Sequence, residues 1–362
     1  MTTTLKKSWS AHLLKALVAH ATDKANLLEG MRAASASAIM LLLGCALHAP
    51  DFAWAAIGAF WTSLATASDT ARNRVASMLS FAVLSTVAGG LTTYAASFGT
   101  FGGAVAIFLF VTSAGLARIW GAKAYQVAIL AATACVVMVD RPWHGDAGGM
   151  AYLGVYLFGC LFATVLSVVI WQIRPFAPEQ YSTSWQQAAV QSVREGLRQL
   201  RSHASLSSDG AHFALRLGIA TTVAYLMVHM LQLPYGYWAT MAVLLILQPS
   251  ASGTLPRSME RAVGTVIGTV IAIAISGLAT SPLAIALAVF PLIGLTMTLR
   301  PVGYGVFVAF LTPSFVLVAD YAMPVFDEYN YALARLENNL LGSAIAVAAT
   351  LILWPLTERL RK

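Results

Sequence analysis

The run Tyr237-Trp238-Ala239-Thr240-Met241-Ala242-Val243-Leu244-Leu245-Ile246-Leu247-Gln248-Pro249-Ser250 decides how this chain is read. An apolar run of about a dozen residues rises only ~18 Å as a helix, against a hydrocarbon core of ~30 Å, so it is too short to cross a bilayer alone. The residues that follow, Gln248 to Thr254, are polar but uncharged, and the first full charges are Arg257, Glu260 and Arg261, ahead of another long apolar run. The pattern predicts a helix broken inside a membrane. Irregular backbone at that depth is tolerated only where protein buries it or where it lines a wet cavity.

A counterpart lies in the first half. Pro50-Asp51-Phe52-Ala53-Trp54 opens an apolar run to Thr66, followed by Ser68-Asp69-Thr70 and the pair Arg72 and Arg74. Four landmarks recur at a spacing of 184: Arg32 with Arg216, Pro50 with Pro234, Trp54 with Trp238, and Thr70 with Thr254. Short interrupted segments in corresponding places of two halves point to a transporter binding site.

Composition agrees with a membrane setting. The chain is 58% hydrophobic and 10% charged, with a mean hydropathy of +0.73, whereas soluble domains carry ~25% charged residues. No cleavable signal is expected, because a polar, Lys-bearing stretch precedes the first apolar run. Cys45, Cys135 and Cys160 sit in apolar runs without a CxxC spacing or His neighbours, and read as small buried hydrophobes.

The fold class expected is an all-α polytopic membrane protein of about 12 transmembrane helices in two parallel six-helix repeats, with short or broken helices and amphipathic interfacial helices. The expected spans are 33–49, 52–67, 75–97, 101–117, 122–139 and 150–173, then 212–232, 235–254, 262–279, 282–299, 302–319 and 338–355. The domains follow as a cytoplasmic amphipathic segment 1–32, a first repeat 33–173, an amphipathic linker 174–211, a second repeat 212–356 and a cytoplasmic tail 357–362. Leu5, Trp9, Leu13 and Leu17 mark the first amphipathic helix, and Trp185, Ala189, Val193, Leu197 and Leu200 the second.

Charge placement tests the span count. With the amino terminus in the cytoplasm, 20 of the 22 Lys and Arg residues fall on that side, leaving only Arg141 and Arg335 in outer loops. The net charge of +7 is thereby a topology signal, not a nucleic-acid footprint. An even number of spans per half makes the two halves point the same way. Gly264-x-x-x-Gly268 is a close-packing spacing, read first as contact within the bundle and second as the seam of a homodimer.

Candidate path residues are Arg72, Arg74, Arg257 and Arg261 for the charge of an anion, Gln248, Ser250 and Thr254 along the path, and Trp54, Tyr237 and Trp238 as flat apolar surface. The alternative for the arginines is plain topological anchoring, and for the tryptophans an interfacial belt or packing. Proton coupling needs a group that changes charge, and the candidates are Asp51, Asp140, Asp320 and His229. The same aspartates also suit solvated outer caps, and His229 suits a packed core position. No GxSxG, HExxH or GxxxxGK[ST] occurs, so neither an enzyme nor a cofactor is expected.

The string from Tyr237-Trp238-Ala239 to Leu247-Gln248-Pro249, then Arg257-x-x-Glu260-Arg261-x-x-Gly264-Thr265-x-x-Gly268, resembles the signature of the fusaric acid resistance and aromatic acid exporter families. Arg300-x-x-x-Tyr304, Leu311-Thr312-Pro313, and Arg335 with Gly342 ahead of Leu353-Trp354-Pro355 add to the likeness, which is strong in the second half and weak in the first. The resemblance implies an inner-membrane exporter of aromatic and other weak organic acids driven by the proton motive force, with a periplasmic membrane-fusion adaptor as a candidate partner. A passive anion channel of the same fold and a non-transporting envelope scaffold stand as alternatives.

Overall fold

The computed structural model describes residues 26–65, 71–140, 150–172, 209–322 and 328–361. Both amphipathic interfacial helices expected from sequence lie outside the described residues.

The described residues form twelve α-helices and no strand. They are α1 (Leu27–Leu47), α2 (Phe52–Leu64), α3 (Ala71–Ala96), α4 (Thr100–Leu116), α5 (Ala122–Met138), α6 (Ala151–Gln172), α7 (Asp209–Met230), α8 (Tyr237–Ile246), α9 (Ala251–Ser276), α10 (Pro282–Leu299), α11 (Tyr304–Ala322) and α12 (Glu328–Arg361). Nine are long and apolar enough to cross a membrane; α2, α5 and α8 are apolar but shorter. Large apolar side chains such as Val83, Leu91, Val165, Val270 and Leu287 stay exposed on the outer helices, where lipid is their natural solvent.

Packing repeats between the halves. α2 packs on α6 and α8 on α12; α3 packs on α5 and α9 on α11. Two further pairs join the halves reciprocally, α1 with α10 and α4 with α7. The close approaches fall at related positions: a Cβ on Gly30 would overlap Thr298 and Gly294, and one on Gly115 would overlap Ala214, which lies 184 residues after Gly30. Gly264 and Gly268 face α11 at Gly305, Val308, Ala309 and Thr312, so this small-residue spacing serves contact within the bundle.

The eighth span is shorter than expected, and the reason is local. α8 ends at Ile246, Leu247 is extended, and Ser250 caps a new helix by accepting the Gly253 N–H. Pro249 has no N–H to continue a helix and disfavours helical backbone in Gln248. Thr254, Arg257 and Arg261 therefore belong to α9, whose start moves back from 262 to 251. The last span also begins earlier than expected. Arg335, assigned from sequence to an outer loop, lies within α12 and is only 2% exposed.

Candidate functional site

Two cavities lie between α2, α5, α8 and α11. The first, about 450 Å³, is lined by Phe60, Trp61 and Leu64 of α2, Tyr125 and Gln126 of α5, Leu245 of α8 and Tyr304 of α11, with the cations Arg257 and Arg300. The second, about 300 Å³, is lined by Trp54 and Ile57 of α2, Val137 and Asp140 at the end of α5, Tyr237 of α8, Val318 of α11 and Tyr331 of α12. Trp238 and Phe315 line both cavities. Their rings meet edge to face at 5.9 Å, and Phe60 and Trp61 pack on Phe315 at 5.7 and 6.2 Å. An aromatic constriction thus separates a basic chamber from an acidic one.

The broken helix puts Arg257 in place. The carbonyls at the end of an α-helix lack intrahelical partners and carry the negative end of its dipole. Arg257 Nε donates to the Leu245 carbonyl at 2.9 Å, and Arg216 Nη2 donates to the Gln248 and Pro249 carbonyls at 2.8 and 3.0 Å. In the first half, the Leu64 carbonyl accepts from Gln126 Nε2 at 2.7 Å and from Arg300 Nη1 at 3.2 Å. Arg257 also lies 4.1 Å over the Tyr304 ring. Both cavity arginines are therefore fixed by helix ends while remaining half-buried at the chamber.

The other candidates divide clearly. Arg261 is buried away from the chamber, donating to Asn339 Oδ1 at 2.9 Å and to the Tyr304 hydroxyl at 2.8 Å. Arg74 donates to Glu29 at 2.6 Å, and Glu29 also pairs with Arg32. The Arg72 side chain lies outside the described residues. Gln248, Ser250 and Thr254 line neither cavity and bond to one another around the break, with Thr254 Oγ1 accepting the Gln248 N–H at 3.0 Å. Trp54 and Trp238 are buried, with Tyr331 accepting from Trp238 Nε1 at 3.2 Å and sharing a 2.9 Å hydrogen bond with Tyr237.

Asp140 faces the acidic chamber, with His229 Nε2 4.0 Å away. Its carboxyl lies just past the end of α5. The apolar surroundings hold it above the ordinary carboxylate range, against the opposing pull of His229 and the Tyr237 N–H. Asp51 is exposed at the start of α2, and Asp320 is largely buried in α11; neither lines either of these two cavities.

The segment from the middle of α7 to the middle of α12 carries the constriction and every cavity arginine. Residues 223–349 match the model of the fusaric acid resistance protein-like family. Among relatives, the chain is 33% identical over 159 residues to the uncharacterized protein YhfK of Escherichia coli, covering 43% of this chain and 22% of that one. It is 28% identical over 143 residues to the inner membrane protein YccS of the same organism, covering 39% and 19%. An uncharacterized Neisseria gonorrhoeae protein, ORF2, is 27% identical over 159 residues, covering 43% and 37%. These matches span between about a fifth and just over a third of each relative's length. No solved structure matches the chain. This partial match and the nine long apolar helices among the described residues together indicate a multi-pass membrane protein.

Sequence reasoning missed Phe315 and Tyr331 as site residues, and weighed Arg300 only as a helix-end anchor or an addition to the anion vestibule. Arg300 and Tyr304 were visible as a motif, but only folding shows that the α10–α11 turn reaches across to α2.

Proposed function

We propose that the protein is an inner-membrane exporter of small organic anions, aromatic carboxylates in particular, driven by the proton motive force. The observation that carries the reading is the basic chamber. Arg257 and Arg300 supply its charge, Tyr125, Trp61 and Tyr304 supply flat apolar surface, and no carboxylate lines it among the described residues. A guanidinium fork matches a carboxylate, and an aromatic wall matches the ring attached to it. The match to the fusaric acid resistance protein-like family supports the class, and the likeness to the inner membrane protein YccS supports the compartment.

The reciprocal helix pairings support two similarly oriented six-helix repeats about a pseudo-two-fold axis along the membrane normal. In that arrangement α2 and α8 correspond, as do α5 and α11, and all four surround the axis. The bias of Lys and Arg puts both termini and the basic chamber on the cytoplasmic side. Asp140 then faces the periplasmic chamber, where a raised carboxyl exchanges protons at higher pH than an ordinary aspartate. Asp140→Asn is expected to flatten the pH dependence of export while leaving benzoate binding from the cytoplasmic side within about twofold. An unchanged pH profile removes Asp140 from the coupling path.

Purified protein in proteoliposomes tests the whole reading. Accumulation of benzoate against its gradient, abolished by a protonophore, is the expected result. Flux that follows the anion gradient alone makes the protein a channel, and no flux of any small anion makes it a scaffold.

A further inference from the structure

Arg335 presents an unusual arrangement. It is 2% exposed within α12, and its Nε and Nη1 are buried without a hydrogen-bond partner. No acidic side chain pairs with it among the described residues. The neighbouring cation aggravates the imbalance: Asn339, one turn along the same helix, is already taken by Arg261. A guanidinium left this way inside a membrane protein is costly and marks an ion pathway by default. What compensates it is the face of Trp238, 3.6 Å from its Cζ to the ring centroid, and Phe315 at 5.7 Å. These are the two rings that line both chambers, so the charge sits against side chains that border each, although Arg335 itself lines neither.

We propose that Arg335 is an anion-binding residue at the constriction, covered in this structure by Trp238. The assignment rests on the anion-export reading and extends it to the middle of the path. A carboxylate entering from the Arg257 chamber displaces the indole from the guanidinium and takes its two unmet donors. The substrate ring meanwhile replaces Trp238 against Phe315. Trp238 is then both the lid on the charge and the closure between the chambers. Charge-assisted hydrogen bonds to a guanidinium are stronger than its contact with an aromatic face, so a carboxylate can take the place of the indole.

The test uses full-length purified protein, with benzoate and its neutral amide, benzamide, as probes. Arg335→Gln is expected to weaken benzoate binding at least tenfold and to leave benzamide binding unchanged. Arg335→Lys, which keeps the charge and loses the fork, falls between. Equal benzoate affinity in a folded Arg335→Gln protein overturns the proposal. Trp238→Leu removes the lid with every charge in place and decides the matter should Arg335→Gln not fold. It is expected to raise passive benzoate flux at least fivefold in the absence of a proton gradient while benzamide flux stays low. Unchanged or unselective flux overturns the proposal. A parent protein that neither binds nor moves benzoate or other small anions defeats the export reading itself, and this inference falls with it; normal parent transport with an indifferent Arg335 defeats this inference alone.

Discussion

Gly342→Val is expected to leave no folded protein, and Gly159→Val to do the same. At these glycines α12 crosses α8 and α6 crosses α2, so close that an added Cβ overlaps the Ala239 carbonyl in one case and the Ala55 carbonyl in the other. Ala55 and Ala239 lie 184 residues apart. Overpacking of side chains costs ~1–3 kcal/mol because neighbours can shift. Here the obstacle is the backbone of a helix that also walls both cavities, so separation of the helices is the only relief. Small residues hold helices together in membranes because close backbone approach replaces the missing hydrophobic drive. Monodispersity on size exclusion in mild detergent, with expression in the membrane fraction, measures the loss. Gly154→Val is the control: it lies on α6 as Gly159 does, but an added Cβ there meets nothing within 4 Å. Wild-type behaviour of Gly159→Val would mean that α2 and α6 do not cross as the structure has them.

Much of this architecture was legible because one physical conflict is written into the sequence. The apolar run at Tyr237–Leu247 is too short to span, and Gln248-Pro249-Ser250 stops it with a missing N–H and a capping hydroxyl. The register of 184 then pointed to the first-half equivalent, and α2 is indeed short, although residues 66–70 beyond it are not described. What sequence could not separate was lining from capping. Gln248, Ser250 and Thr254 looked like a polar path, but a broken helix must first satisfy its own backbone, and these side chains do that locally. Arg335 was misplaced for a related reason. Arg335, Glu337, Asn338 and Asn339 form a polar run that resembles a loop. A helical signal was nonetheless present, since Tyr331, Arg335, Asn339 and Gly342 recur at steps of four, four and three. They form one face of α12 turned toward Trp238, Arg261 and Ala239. The part played by α5 and α11 carried no sequence mark, because their lining residues are ordinary apolar and aromatic side chains whose role depends on which helices meet.

The two arginines that sequence treated as equivalent are expected to fail in opposite ways. Arg257→Ala removes a cation that faces the basic chamber and should weaken benzoate uptake or binding by roughly 10–100-fold, the equivalent of one charge-assisted hydrogen bond of ~1.5–3 kcal/mol. Benzamide should be bound as by the parent, and Arg257→Lys should recover part of the loss, because it keeps the charge but not the fork. Some destabilisation accompanies Arg257→Ala, since the Leu245 carbonyl loses its donor. A thermal midpoint measured alongside separates that from the effect on the anion. Arg261→Ala is a different lesion. It strips the donors from the Asn339 side-chain carbonyl and the Tyr304 hydroxyl inside the bundle, and leaving a buried polar group unsatisfied costs ~1–3 kcal/mol. Its expected signature is a lowered thermal midpoint with benzoate and benzamide affected alike in whatever protein remains folded. The contrast follows from what the first two arginines of α9 meet, four residues apart: Arg257 lies over the Tyr304 ring at the chamber, while Arg261 is held by the Tyr304 hydroxyl and by Asn339 of α12. Should Arg261→Ala instead fold normally and lose benzoate selectively, the path would run behind α9, and the chamber between α2 and α8 would not be the route.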